Sequence, residues 1–210
     1  MGNHIRFSHK VHFKPYIGMD YFESEPRVLI LGESVYESED GIPSPNVAAE
    51  MIQGVSSYEW NHSFFSRIQD MFSCPDDYDE VAPETYELNR ESFWKRVSFY
   101  EYVQEPVTGP RARPSAAQWA NAEHPFKEVV DKLLPDVIVA LGFDNYSHLP
   151  DLGKEAREVV YRKNILQVWQ YNLPGKNCFV CCIQHPSSFG FKKQIWTELF
   201  DRFLIQYGYV

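Results

Sequence analysis

Three short apolar runs, each ending at a turn-forming residue, restrict what this chain can fold into. Arg27 to Leu31 of PRVLILGES runs into Gly32, Val137 to Leu141 of PDVIVALG runs into Gly142, and NCFVCCIQHP spans residues 177–186. Short apolar runs with almost no polar interruption are the mark of strands buried on both faces. Helical patterns lie between them. Residues 46–72 read as helical with a break near Gly54, and Asn61 or Ser63 can cap a helix carrying Phe64, Phe65, Ile68, Met71 and Phe72. Residues 88–96 read as a short helix and VSFYEYVQ, residues 97–104, as a further strand. Ser115 caps the helix AAQWANAEHPFKEVVDKLL, in which Pro125 predicts a kink or a second helix start. A helix is expected within residues 145–158, a strand or strand edge in NILQVWQY, and a terminal helix over residues 194–208 with Ile195, Leu199, Phe203 and Leu204 on one face.

Strands alternating with helices predict one α/β domain over residues 1–210. Its centre should be a mostly parallel sheet of four to five strands with helices on both faces, an α/β/α sandwich. Ligands bind such sheets at the carboxyl ends of the strands. The loops after residues 31, 103, 141 and 184 then share one rim, with Gly32, Gly142 and His185 on it.

Composition narrows the class. Apolar residues make up 44% of the 210 and aromatics 16%, enough for a sizeable core and too many for a disordered chain. No run approaches the roughly 18 apolar residues of a membrane span, and the first residues lack a secretory pattern, so the expectation is a cytoplasmic, monomeric protein with no membrane partner. Cys178, Cys181 and Cys182 read as small packing residues of a buried strand. Cys74 alone supplies no partner pair for zinc, so neither a metal nor another cofactor is expected. The formal charge of −9 opposes binding to phosphates. It is uneven, however. The acid gathers in residues 33–40 and 76–91, while the last third carries Lys154, Arg157, Arg162, Lys163, Lys176, Lys192 and Lys193.

Singly, each motif is common. Their order is specific: a first strand ending in G-E-S-V-Y (Gly32–Tyr36), a second in residues 98–104, a third reading P-D-V-I-V-A-L-G, and a last one ending in H-P-S (His185–Ser187) before the terminal helix. In this order, from about Arg27 to the end, the chain resembles the uracil-DNA glycosylase superfamily. The resemblance implies a uracil-DNA glycosylase-like fold, a partner that is single- or double-stranded DNA, and hydrolysis of the N-glycosidic bond of a base flipped into a pocket. It implies catalytic roles for Glu33, Ser34 and His185, with the histidine donating to the departing base. Tyr36, Phe64, Phe65 and Glu101 are implied to hold the base, the two phenylalanines being equally readable as helix core. Pro186, Ser187, Ser188, Phe189, Phe191, Lys192 and Lys193 are implied to meet the DNA, either Phe189 or Phe191 as a wedge.

Glu101 stands where the family usually has Asn. A protonated carboxyl group, favoured by burial, matches N3 and the N4 amine of cytosine, while an ionised one would repel O4 of uracil; this points to a cytosine-type base, modified so that host DNA is spared, in repair or in defence against foreign DNA. Ser34 stands where many members have Asp or Asn, a weaker activator of water. It leaves open a degenerate DNA-binding member without base excision, and an unrelated α/β enzyme on a nucleotide or sugar remains a third reading.

Overall fold

The computed structural model describes residues 5–37, 41–56, 62–73 and 92–209. Cys74, Asn61 as a cap, and most of the two acidic stretches lie outside them. The centre is four parallel strands: β2 (Val28–Gly32), β3 (Val97–Glu101), β4 (Val137–Leu141) and β9 (Lys176–Ile183). They stand in the order β3-β2-β4-β9. Every position of β3 and β4 is buried, as are all but the first of β2 and all but Lys176, Asn177 and Phe179 of β9, which is why these runs carry so few polar residues.

Among the described residues the sheet has seven strands rather than four or five. Antiparallel β1 (Tyr16–Ile17) extends one edge, and antiparallel β8 (Val168–Leu173) and β5 (Gly153–Glu155) extend the other. A separate hairpin pairs β6 (Val159–Tyr161) with β7 (Asn164–Leu166). These pieces correct the expected helix over residues 145–158. Only Phe143–Ser147 is helical there, and NILQVWQY splits at Gln167 between two sheets. Strands of two or three residues are too short to show a period in sequence. The strand expected over residues 97–104 ends at Glu101.

Helices cover both faces. On one lie α1 (Val47–Ser56), α2 (Ser63–Ser73) and the terminal α5 (Lys193–Gln206), packed with Ile30, Phe99, Val139 and Ile183. On the other lies α3 (Ala116–Leu133), whose Trp119, Phe126 and Val130 pack with Leu29, Leu31, Tyr100 and Val180. Gly54 does not break α1, which runs through it to Ser56. Pro125 neither ends α3 nor starts a second helix, since one helix runs from Ala116 to Leu133 with Pro125 buried inside it. The missing N–H leaves the rest of an 18-residue helix intact, because its buried apolar face supplies most of its stability. Ser115 caps it as expected, with Gln118 completing a reciprocal capping box. The short α4 (Phe143–Ser147) follows β4 directly. Among the described residues no helix is long and apolar enough to cross a membrane.

Candidate functional site

All four parallel strands end on one rim. The two in the middle end on glycine, and the reason is steric. Gly32 pairs with Glu101 across the β2–β3 ladder, and a Cβ built on residue 32 would lie 2.3 Å from Glu101 Oε2. Gly142 has φ of +105°, a region that side-chain-bearing residues avoid, and a Cβ there would meet His185 Cβ at 3.4 Å. Gly32 thus makes room for the Glu101 carboxyl, and Gly142 supplies a backbone turn beside His185 that a side chain would strain. Strand alternation puts residues 32 and 101 on the same face as Ile30 and Phe99, the face covered by α2. Phe64 of α2 stacks on the His185 ring, with centroids 5.2 Å apart and planes at 28°.

His185 is held in one tautomer. The backbone N–H of Ser187 donates to its Nδ1 at 3.2 Å, so in the neutral ring the proton sits on Nε2. Burial, and then the nearby Arg113 cation, lower its pKa and favour that neutral form. The loop carrying it is anchored from α2, where Arg67 Nη1 donates to Pro186 O at 2.5 Å. A turn from Ser188 N–H to His185 O at 2.8 Å closes it.

Glu33 faces Arg113, whose Nη1 lies 3.1 Å from Oε2 of Glu33 and 3.5 Å from Oδ2 of Asp144. Burial raises the Glu33 pKa. Arg113 opposes that rise and Asp144 adds to it. Glu33, Arg113, Asp144 and His185 share a cavity of about 580 Å³, with Tyr36, Arg111, Ser187 and Ser188 also on its wall. Asn145 of α4 fixes the floor: fully buried, its amide donates to Leu31 O at 3.1 Å and Gly32 O at 3.0 Å.

Glu101 lies deeper. It is 5% exposed, its Oε2 is buried with no hydrogen-bond partner, and it is not on the wall of the main cavity. Burial first, and the charge of Glu33 second, push its carboxyl pKa up to about 8. Tyr36, in a bridge with Val107, is raised by burial and by the same two carboxylates.

The structure therefore gathers Glu33, Tyr36, Phe64, Glu101, His185, Ser187 and Ser188 at one rim. Ser34 is half-buried and off the cavity wall. Phe65 takes the helix-core place that the sequence also allowed: it is buried and lies edge-on to Phe99 at 5.4 Å. Phe191 packs partly buried against the same core, which leaves Phe189, fully exposed, as the free aromatic of that loop. Pro186 is buried beneath the loop. Lys192 and Lys193 open α5 and line a separate cleft with Arg162.

Sequence reasoning missed Arg111, Arg113, Asp144 and Asn145. The two arginines had a visible signal, a pair of cations inside the Pro/Gly-rich loop PVTGPRARPS. Among the described residues no group of three or more His, Cys, Asp or Glu side chains is placed to hold a metal ion. No protein-family model matches the chain, and no curated protein matches it in sequence.

Proposed function

We propose that this chain is a DNA glycosylase with a uracil-DNA glycosylase-like fold, hydrolysing the N-glycosidic bond of a flipped-out base. The observation that carries the reading is His185: neutral, with its proton on Nε2, stacked on Phe64, and sharing a cavity with the carboxylate of Glu33. The strand order β3-β2-β4-β9 and the order of motifs along it support the family reading.

The chemistry follows from charge. As the C1′–N bond breaks, its electron pair leaves with the base and the sugar gains oxocarbenium character. The Nε2–H of His185 donates to the base oxygen that takes up this charge, and it does so as an uncharged donor already in place. Water then adds its oxygen to C1′, and the carboxylate of Glu33 takes the water proton. Arg113 lowers the Glu33 pKa that burial raises, and so favours the ionised form. Arg111 and Arg113 on the cavity wall, and Lys192, Lys193 and Arg162 in a separate cleft, supply cations for phosphates on a chain that is acidic overall. Phe189, exposed at the loop tip, is the wedge for the vacated base position.

Glu101 is the base-edge residue, and a modified cytosine is the first substrate to test. Exclusion of uracil, however, requires an ionised carboxylate. A neutral carboxyl group carries its proton on either oxygen, so it pairs with N3 and the N4 amine of cytosine or with O4 and N3–H of uracil. Uracil therefore enters the test on equal terms.

The experiment is incubation with oligonucleotides bearing uracil, cytosine and modified cytosines, followed by alkaline cleavage at any abasic site. Strand breaks supported by loss in a His185→Ala variant are the expected result. Retarded mobility with no cleavage for any base would favour the second reading, a DNA-binding protein without excision, for which Ser34 in the first loop is the supporting feature. Neither binding nor cleavage would refute both.

A further inference from the structure

We propose, resting on the glycosylase reading above, that Glu101 is a specificity-determining residue that works as a neutral acid, presenting one donor and one acceptor to a base edge, so that excision requires its proton. Geometry is the ground for this. The carboxyl sits over Gly32 at the end of the β2–β3 ladder, on the sheet face that also holds Phe64, with a space that exists only because residue 32 has no side chain. Oε2 is one of six buried side-chain atoms without a partner among the described residues, and the only one of them on a carboxyl group, so its lone pairs and proton are left for a ligand to meet. Among the described residues no lysine, arginine or histidine bonds to it. Among the described residues the charged group acting on it is Glu33, of its own sign, and the other titratable side chain coupled to it is the phenol of Tyr36. A carboxylate there would be desolvated, unpaired and repelled, and the protonated acid avoids all three costs.

The ligand class follows. A heterocycle with an acceptor adjoining a donor on one edge fits the acid in either order, which cytosine-type and uracil-type bases both meet. The ionised form would place an oxygen lone pair against the acceptor of either base. Excision should therefore fail as the proton leaves, although the phosphates, the sugar and His185 are unaffected.

The test is a pH profile of single-turnover excision on one oligonucleotide that the parent cleaves, for the parent and for Glu101→Gln. The glutamine amide offers a donor and an acceptor at every pH. The parent should lose about tenfold in rate per pH unit above the Glu101 value of about 8, while Glu101→Gln stays flat through that range. An infrared comparison of the two proteins at pH 7 supplies a readout independent of activity: the parent should show a protonated-carboxyl stretch that the variant lacks. An alkaline loss shared by both proteins, or its absence in the parent, overturns the inference and leaves the glycosylase reading standing. A missing protonated-carboxyl band overturns it whatever the rates. No excision of any base by either protein, at any pH, overturns the glycosylase reading itself and this inference with it.

Discussion

Substituting Gln for Glu101 should change how the stability of this protein depends on pH, and the size of the effect follows from burial. The unfolded chain releases the proton near the ordinary value of 4.5, and the folded chain holds it to about 8. Between those values the folded state binds more protons than the unfolded one, so stability falls as pH rises. The slope is about 1.4 kcal/mol per pH unit, or about 5 kcal/mol from one end of the window to the other. Single domains have roughly 5–15 kcal/mol in all, so the parent should be visibly stronger at pH 5 than at pH 8.

Glu101→Gln removes the titration and keeps the shape. Its amide places a donor or acceptor where Oε2 has no partner, costing about 1–3 kcal/mol, but at every pH alike. The informative quantity is therefore the difference in slope. Urea unfolding at pH 5, 6.5 and 8 should give a falling free energy for the parent and a much flatter one for the variant. Glu33, raised in the same direction, leaves the variant some residual fall. Parallel curves for the two proteins would refute the claim that Glu101 is buried as the acid.

His185→Ala should slow single-turnover excision by about a hundredfold, roughly 3 kcal/mol of lost transition-state stabilisation, with DNA affinity nearly unchanged; equal losses in both would make it a binding residue. Arg111→Ala with Arg113→Ala should reduce the slope of log affinity against log salt by about one to two, and an unchanged slope would place the phosphates elsewhere. Gly32→Ala should destabilise by about 1–3 kcal/mol in the parent and by much less in a Glu101→Ala background, because the added methyl meets the Glu101 carboxyl; equal cost in both backgrounds would deny that contact. Phe189→Ala should leave stability within about 0.5 kcal/mol and slow excision from a well-paired site more than from a mismatched one. Equal effects on the two substrates would remove it as a wedge.

What was readable in the sequence follows element length. VLILG, VIVAL and KNCFVCCI are fully or largely buried central strands, and burial on both faces leaves an apolar run that no helix of that length would show. The edge pieces were not readable. Residues 153–155 are all exposed and carry Gly, Lys and Glu, so nothing in their composition marks a strand; they are one because β8 offers them backbone partners. The site divides the same way. Glu33, Tyr36 and His185 follow directly from strand ends. Arg113 reaches Glu33 from 80 residues away, a contact that belongs to tertiary structure alone.

The position of the cavity is a consequence of chain order. From β2 the chain passes through α1 and α2 to β3 on one side, and from β3 it passes through α3 to β4 on the opposite side of β2. The connections use opposite faces of the sheet, so the carboxyl ends of β2 and β4 part company, and an open crevice is left where the winding reverses. Gly32 and Gly142 stand at those two ends. A Cβ at residue 32 would meet the Glu101 carboxyl, and one at residue 142 would strain the backbone beside His185. The strands beyond, β3 and β9, then supply one functional side chain each from opposite sides. An acid and a neutral imidazole therefore stand beside the two glycines from opposite sides, His185 on the cavity wall and Glu101 buried off it, although the chain places them 84 positions apart.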